Sequence, residues 1–414
     1  MNFHQETLPN GLTILAETSS RALSTGIGFF VKTGSRDETP DVAGVSHFLE
    51  HMAFKGNDRY SADDVNRRFD EIGAKYNAYT TEEHTVYHAV VLPEFVDLAT
   101  DMLADLLRPA LRADDFFMEQ KVIIEEIGMY ADMPPFVAYE KAMSRHFGNH
   151  PLGNSVLGTV SSIEALVPDR MRAYHDRRYS ADNVIVAAAG KVDWSRFRAL
   201  VEEKCGGWKK SGAVAKSPIP YEPGNDEIIP VERYEQECVL MLAPAPGASS
   251  PLRVAGDLLA TILGDDTGSR LHWALAEPGK VESIDFGYHE YYGAGLYMLS
   301  AACTPDRMAE NLAEIRRVLQ AATQDGVTAE ELDLAKNKVA ARLVLSAEKP
   351  RNRLGPLAYG WAYRESYHTV VGELEELRSV TLGQIRALLE EYPLLPATTV
   401  LVGPLEEVAG VAAQ

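Results

Sequence analysis

An α+β fold in two similar halves is what this 414-residue sequence predicts. Three observations predict it. Short strand-like runs alternate with longer segments of helical spacing. Four such features recur in the same order at offsets of about 210–217 residues, the mark of an internal duplication. A stretch rich in Pro, Gly and Ser, KSGAVAKSPIPYEPGND over residues 210–226, separates the two sets. The expected organisation is an N-terminal domain over residues 1–212, a linker over 213–228 and a homologous C-terminal domain over 229–414.

In chain order, the turn pair Asn10-Gly11 opens a strand-like alternation that runs to Ala16, and a second apolar run follows over 26–31. Val45, Phe48, Leu49, Met52 and Ala53 then fall at helical spacing. Residues 85–92 read as a strand, and Pro93 begins a helical segment carrying Phe95, Leu98, Met102 and Leu106. Residues 116–130 read as a further helix, and NVIVAAAG at 183–190 reads as a buried strand ending at a glycine. The second half repeats this order. GLYMLSAAC at 295–303 matches the strand at 85–92, and Pro305 with Met308, Leu312 and Ile315 matches the helix after Pro93. AEELDLAKNKV at 329–339 matches ADDFFMEQKV at 113–122, and TTVLVG at 398–403 closes the chain as VIVAAAG closes the first half.

Composition excludes some functions. Lys and Arg total 40 against 60 Asp and Glu, a net charge of −20. That balance argues against a general nucleic-acid binder, which needs a basic face. Three widely spaced cysteines, Cys205, Cys238 and Cys303, cannot form a disulfide framework and read as buried thiols of a reducing compartment. The first residues lack a basic region followed by an apolar one, and no stretch approaches the roughly 18 apolar residues of a membrane span. A cytoplasmic protein that binds neither nucleic acid nor membrane is expected.

The most informative residues are HFLEH at 47–51. His47 and His51, four apart on a helix, project from one side, as two ligands of one ion require. Glu50 is placed to reach a water on that ion, and the order H-x-x-E-H is the inverzincin pattern. A catalytic zinc also needs a third protein ligand and an open fourth position. The helix at 116–130 offers it: Glu119 and Glu126 are seven residues apart and point the same way. Glu125 is turned about 100° from Glu126 and reads as a surface partner of Lys121. Helical geometry favours Glu126 as ligand with Glu119 behind it, although either adjacent carboxylate could rotate in.

HFLEHMAFKG at 47–56, NAYTTEEHTVY at 77–87 and the acidic helix 75 residues beyond His51 resemble the pitrilysin/insulinase zinc peptidases, most nearly the mitochondrial-processing-peptidase-like branch. HPLGNSVLGT at 150–159, YHDRRYSADNVIVAAAG at 174–190 and GSRLHWALAE at 268–277 extend the resemblance over nearly the whole chain. It implies two homologous domains, each a mainly antiparallel sheet packed with helices. It also implies one zinc per chain on His47, His51 and Glu126, with Glu50 as catalytic base and Glu119 supporting the site. An extended peptide substrate would add to a sheet edge at the motif GAKYNA, so that Gly73, Ala74, Asn77 and Ala78 bind substrate. His84 could touch it as well. His88 lies with His84 in or beside the strand near the motif, and His4, His146, His150, His175, His272, His289 and His368 have no ligand spacing.

One departure matters. Complete members of the family carry an Arg and a Tyr seven residues apart after the S-R-L segment of the second domain. Aligning Ser269-Arg270-Leu271 places Ala276 and Ser283 there. Neither offers a guanidinium or a phenol. Arg270 belongs to the segment itself, and Arg353 and Tyr359 read as structural. The expectation is therefore a metal-binding endopeptidase subunit in a heterodimer with a homologous chain that brings the Arg and Tyr, a homodimer being the second choice. The alternative is a non-catalytic peptide-binding or scaffold protein on the same fold.

Overall fold

The computed structural model describes residues 2–213 and 226–411. Six strands form the first sheet: β1 (Asn2–Thr7), β2 (Thr13–Thr18), β3 (Thr25–Val31), β4 (Lys75–Thr80), β5 (Thr85–Val91) and β6 (Val184–Gly190). Five form the second: β7 (Glu227–Pro230), β8 (Glu237–Pro244), β9 (Ser283–Tyr291), β10 (Ala294–Cys303) and β11 (Thr398–Gly403). Their orders are β1-β2-β6-β3-β5-β4 and β7-β11-β8-β10-β9. With β1 set aside the two orders are the same, and each sheet has one parallel pair, β2 with β6 and β7 with β11. All other neighbours are antiparallel. The fold is α+β, and the recurrence of topology accounts for the repeated sequence features.

The chain forms two compact units. The first comprises Met1–Ile127, Asn154–Ala215 and Val344–Thr369. On one face of its sheet Ile27, Phe29, Tyr87 and Ala89 pack against Val45, Phe48, Met52 and Phe116. On the other, Leu15, Phe30, Val86 and Ile185 pack against Leu354, Leu357 and Ala358 of the helix Pro350–Arg364. Strands buried on both faces should be apolar throughout, as VIVAAAG of β6 is. Arg353 of that helix is 2% exposed and pairs at 2.8 Å with the equally buried Glu17 of β2, a structural role.

The second unit comprises Gly128–Gly153, Lys216–Leu343 and Val370–Gln414. One face of its sheet meets the helices Arg253–Gly264 and Pro305–Asp325, and the other meets Ala138, Ala142 and Phe147 of the helix Pro134–Phe147. Each half of the sequence thus contributes one covering helix to the unit built on the other half's strands. The linker expected at 213–228 falls largely on residues 214–225, outside the described residues. Cys205, Cys238 and Cys303 are buried free thiols. No helix among the described residues is long and apolar enough to cross a membrane.

Candidate metal centre

The helix bearing the histidines runs from Val45 to Ala53. Its start is built by backbone chemistry. Gly44 sits at φ +87°, which costs a glycine little, and a Cβ there would lie 2.6 Å from the Leu157 carbonyl oxygen. The buried Glu38 carboxylate accepts the amides of Gly44 and Ser46 at 2.6 and 2.7 Å, satisfying donors that a helix start leaves unpaired. Burial nevertheless pushes the Glu38 pKa up to about 7, against these bonds.

The acidic helix spans Ala113–Ala131 and turns Phe116, Glu119 and Ile123 inward. Phe116 stacks on Phe48 with ring centroids 4.7 Å apart, which locks the two helices side by side. Glu126, two turns beyond Glu119, therefore faces the histidines: its Oε2 lies 3.9 Å from His47 Nε2 and 3.5 Å from His51 Nε2. One ligand atom from each of the three lies within 4.8 Å of the others. Glu125 is exposed, and among the described residues the expected ion pair with Lys121 is not formed. Of the two adjacent carboxylates, Glu126 is the one that faces the imidazoles.

Each neighbour has a distinct effect. Glu119 Oε1 lies 2.9 Å from His51 Nδ1, and its other oxygen pairs with Lys55. The hydrogen bond from His51 holds the Glu119 pKa below the usual range, with Lys55 assisting. Burial pulls the His51 pKa down, but the Glu119 hydrogen bond and the charges of Glu126, Glu119 and Glu50 outweigh it and leave it raised. His47 is lowered to about 4 by burial and by His51, so its imidazole is neutral at pH 7, the form a metal ligand requires. Burial raises the Glu50 pKa, opposed by a hydroxyl of Thr80 that donates to Oε2 at 2.6 Å. Sequence reasoning missed Lys55, Thr80 and Glu38. Lys55 had a signal, four residues after His51; Thr80 and Glu38 reach the helix only through tertiary contacts.

Of the expected substrate-binding residues, Asn77 and Ala78 lie in β4, the terminal strand of the sheet, and Gly73 and Ala74 lead into it. An edge strand presents unpaired backbone groups. His84 lies between β4 and β5 and is only 4% exposed, its ring packed on Tyr359 and Tyr363 at centroid distances of 4.9 and 5.4 Å. In the second unit, Ala276 ends a helical turn and Ser283 opens β9.

Residues 13–160 match the family description "Insulinase (Peptidase family M16)", and residues 165–339 match "Peptidase M16 inactive domain". An uncharacterized zinc protease of Mycobacterium leprae is 35% identical over 92% of this chain and 87% of its own length. This chain belongs to the M16 peptidase family. Another M16 relative, an uncharacterized zinc protease of Bacillus subtilis, is 29% identical over 96% of this chain and 97% of its own. The fold is shared more widely. A protease from Helicobacter pylori superposes with TM-score 0.89 at 20% identity, covering 97% of this chain and 99% of its own. A Pseudomonas fluorescens structure described as a peptidase M16 inactive domain gives 0.86 at 20% identity, covering the whole of both chains.

Proposed function

We propose that this M16 chain is the metal-bearing subunit of a zinc endopeptidase, acting on peptides or unfolded segments in an enclosed chamber completed by a related chain that supplies the missing Arg and Tyr. The convergence of His47, His51 and Glu126 carries the reading. Two imidazoles and a carboxylate suit zinc, and ligand atoms about 2.1 Å from a tetrahedral ion sit about 3.4 Å apart, close to the 3.5 and 3.9 Å found here.

One zinc ion held there supplies Lewis acidity, which polarises a peptide carbonyl and acidifies water. Glu50 accepts the proton of the attacking water and returns it to the leaving amine nitrogen. Its raised pKa suits a group that must do both, and Thr80 fixes its carboxyl plane. Glu119 accepts from His51 Nδ1 and so presents Nε2 to the ion. The free edge of β4, with Gly73, Ala74, Asn77 and Ala78, offers main-chain pairing to an extended peptide. His84, buried under its tyrosines, supports the turn behind that edge. Three buried free thiols favour a reducing, cytoplasmic setting.

The test is Glu50→Gln. Assayed together with the related chain, it should retain one zinc per chain and lose hydrolysis of a quenched fluorescent peptide by about 10²–10⁴-fold relative to wild type; a fully active variant would sink the assignment. Full activity of the zinc-loaded wild-type chain alone would remove the need for a partner. Ala276 and Ser283 favour a second reading, a scaffold that binds peptide without cleaving it, for which no candidate partner restores hydrolysis.

A further inference from the structure

β4 has two faces, and the proposed chemistry uses one. Thr80 and Ala78 lie on the side of the histidine-bearing helix, through the Glu50 hydrogen bond and the core around Phe48. The alternate residues Lys75, Asn77 and Tyr79 therefore point to the opposite face. There the Tyr79 hydroxyl meets that of Tyr359 at 2.8 Å, and a cleft of about 510 Å³ opens beside the strand.

Lys75, Asn77, His88, Glu348, Lys349 and Arg351 line that cleft. Its charge is opposite to that of the whole chain: three cations against one carboxylate, in a protein with net charge −20. Among the described residues, Lys75, Lys349 and Arg351 form no ion pair. His88 stands opposite Asn77 in the β4–β5 register and is 6% exposed. Arg351 lies 3.3 Å from His88 Nε2, and a guanidinium can only donate. Nε2 is therefore the acceptor, and the ring proton sits on Nδ1, which is buried without a partner. Burial and the Arg351 charge hold the His88 pKa at about 4, so this neutral tautomer prevails at pH 7. Two glycines fix the guanidinium's root: a Cβ on Gly26 would lie 3.2 Å from the Arg351 Cα, and one on Gly190 would lie 2.9 Å from Pro350. The first turn of the helix Pro350–Arg364 is thus seated directly on the sheet.

A guanidinium held on the neutral His88 ring, two ammonium groups and a carboxamide make a lining rich in donors. Its complement is a group that only accepts. We propose that this cleft is a specificity subsite for an acidic side chain of the peptide, Asp or Glu, at a position whose side chain points away from the metal centre. The inference rests on the reading of β4 as the substrate-docking edge. An added strand turns alternate residues to the two faces, so the residues flanking the acidic one face the metal side.

The test uses the full chain carrying Glu50→Gln, with fluorescence anisotropy of labelled extended peptides in which each position is scanned with Asp, Glu, Asn, Gln and Lys. One position should prefer the acid over its amide by about tenfold at low salt, with the preference shrinking as salt rises. Arg351→Gln should bring that ratio towards one, and Arg351→Glu should shift the preference to Lys, with circular dichroism confirming that both variants fold. Peptides that bind with no acid preference, or a preference unmoved by Arg351→Glu, would overturn the subsite while leaving the edge reading standing. No binding of any peptide would overturn the edge reading and the subsite with it.

Discussion

The two units share one strand order but place different chemistry where two helices meet. In the first, the helix after β3 carries His47 and His51, and the helix Ala113–Ala131 brings Glu126. In the second, the helix Arg253–Gly264 follows β8, and Ala329–Ala347 has the same length of 19 residues as its counterpart. Aligning those two long helices end to end places Arg342 opposite Glu126 and Ala335 opposite Glu119. Arg342 donates to Thr261 at 2.9 Å and pairs with Asp265, which also takes Lys338 at 2.6 Å. Burial raises the nearby Asp257, opposed by the charges of Arg342 and Arg253. The second unit brings its own cation to this place and closes on itself. The first assembles two imidazoles and a carboxylate, an arrangement that could hold a cation from solution. Duplication preserved the scaffold, and a change from carboxylate to guanidinium decides whether the place is an ion site or a brace.

The largest expected effect breaks that contrast at its centre. Glu126→Gln should reduce bound zinc from one per chain to a trace after dialysis, since a neutral amide is a poor substitute for the carboxylate. Arg342→Ala should leave the zinc content unchanged and lower stability by less than about 1 kcal/mol, because Arg342 is half exposed and Asp265 keeps Lys338 as a partner. Loss of zinc in the Arg342 variant, or its retention in the Glu126 variant, would contradict the division of labour between the units.

A second effect concerns carboxylates buried one in each unit. Glu38 and Glu237 are both raised to about 7, chiefly by burial. A carboxyl raised in the folded state binds protons more tightly there than when unfolded, so its stabilising contribution is present below about pH 4.5 and is lost as pH rises through about 7. For Glu38 the difference between pH 5 and pH 8 is about 2–3 kcal/mol. Glu38→Gln should flatten the pH dependence of thermal unfolding by that amount, and Glu237→Gln should flatten its own share. An unchanged slope in Glu38→Gln would mean that its two backbone hydrogen bonds keep it ionised throughout.

How much of this was legible in the sequence follows from where each signal is local. The apolar runs of β3, β5 and β6 and the helical spacing around His47 announce themselves within a few residues, and the structure places them within a residue or two. The polar edge strand β1, NFHQET, carries no such run. The exchange of covering helices was not legible either. The pattern in PPFVAYEKAMSRHF shows that one face is buried, but not which sheet buries it. At the site, the angular argument separating Glu126 from Glu125 needed only the helical repeat. Thr80 and Glu38 approach the motif from elements whose placement depends on the whole sheet, so nothing near HFLEH in the sequence points to them.

The smallest effect tests Glu119, for which the second unit has only Ala335. Glu119→Gln should weaken zinc binding about 10–100-fold at neutral pH, because His51 loses the partner that orients its ring. Its pH dependence should move the other way. Zinc needs a neutral imidazole, and the raised pKa of His51 means that protons compete as pH falls through that value in the wild type. Without the Glu119 hydrogen bond His51 is less basic, so the competition sets in at lower pH. Titration of zinc affinity against pH should therefore give a lower plateau and a midpoint shifted towards acid. A merely structural role would lower the plateau with the midpoint fixed, and that result would remove Glu119 from the orienting part assigned to it.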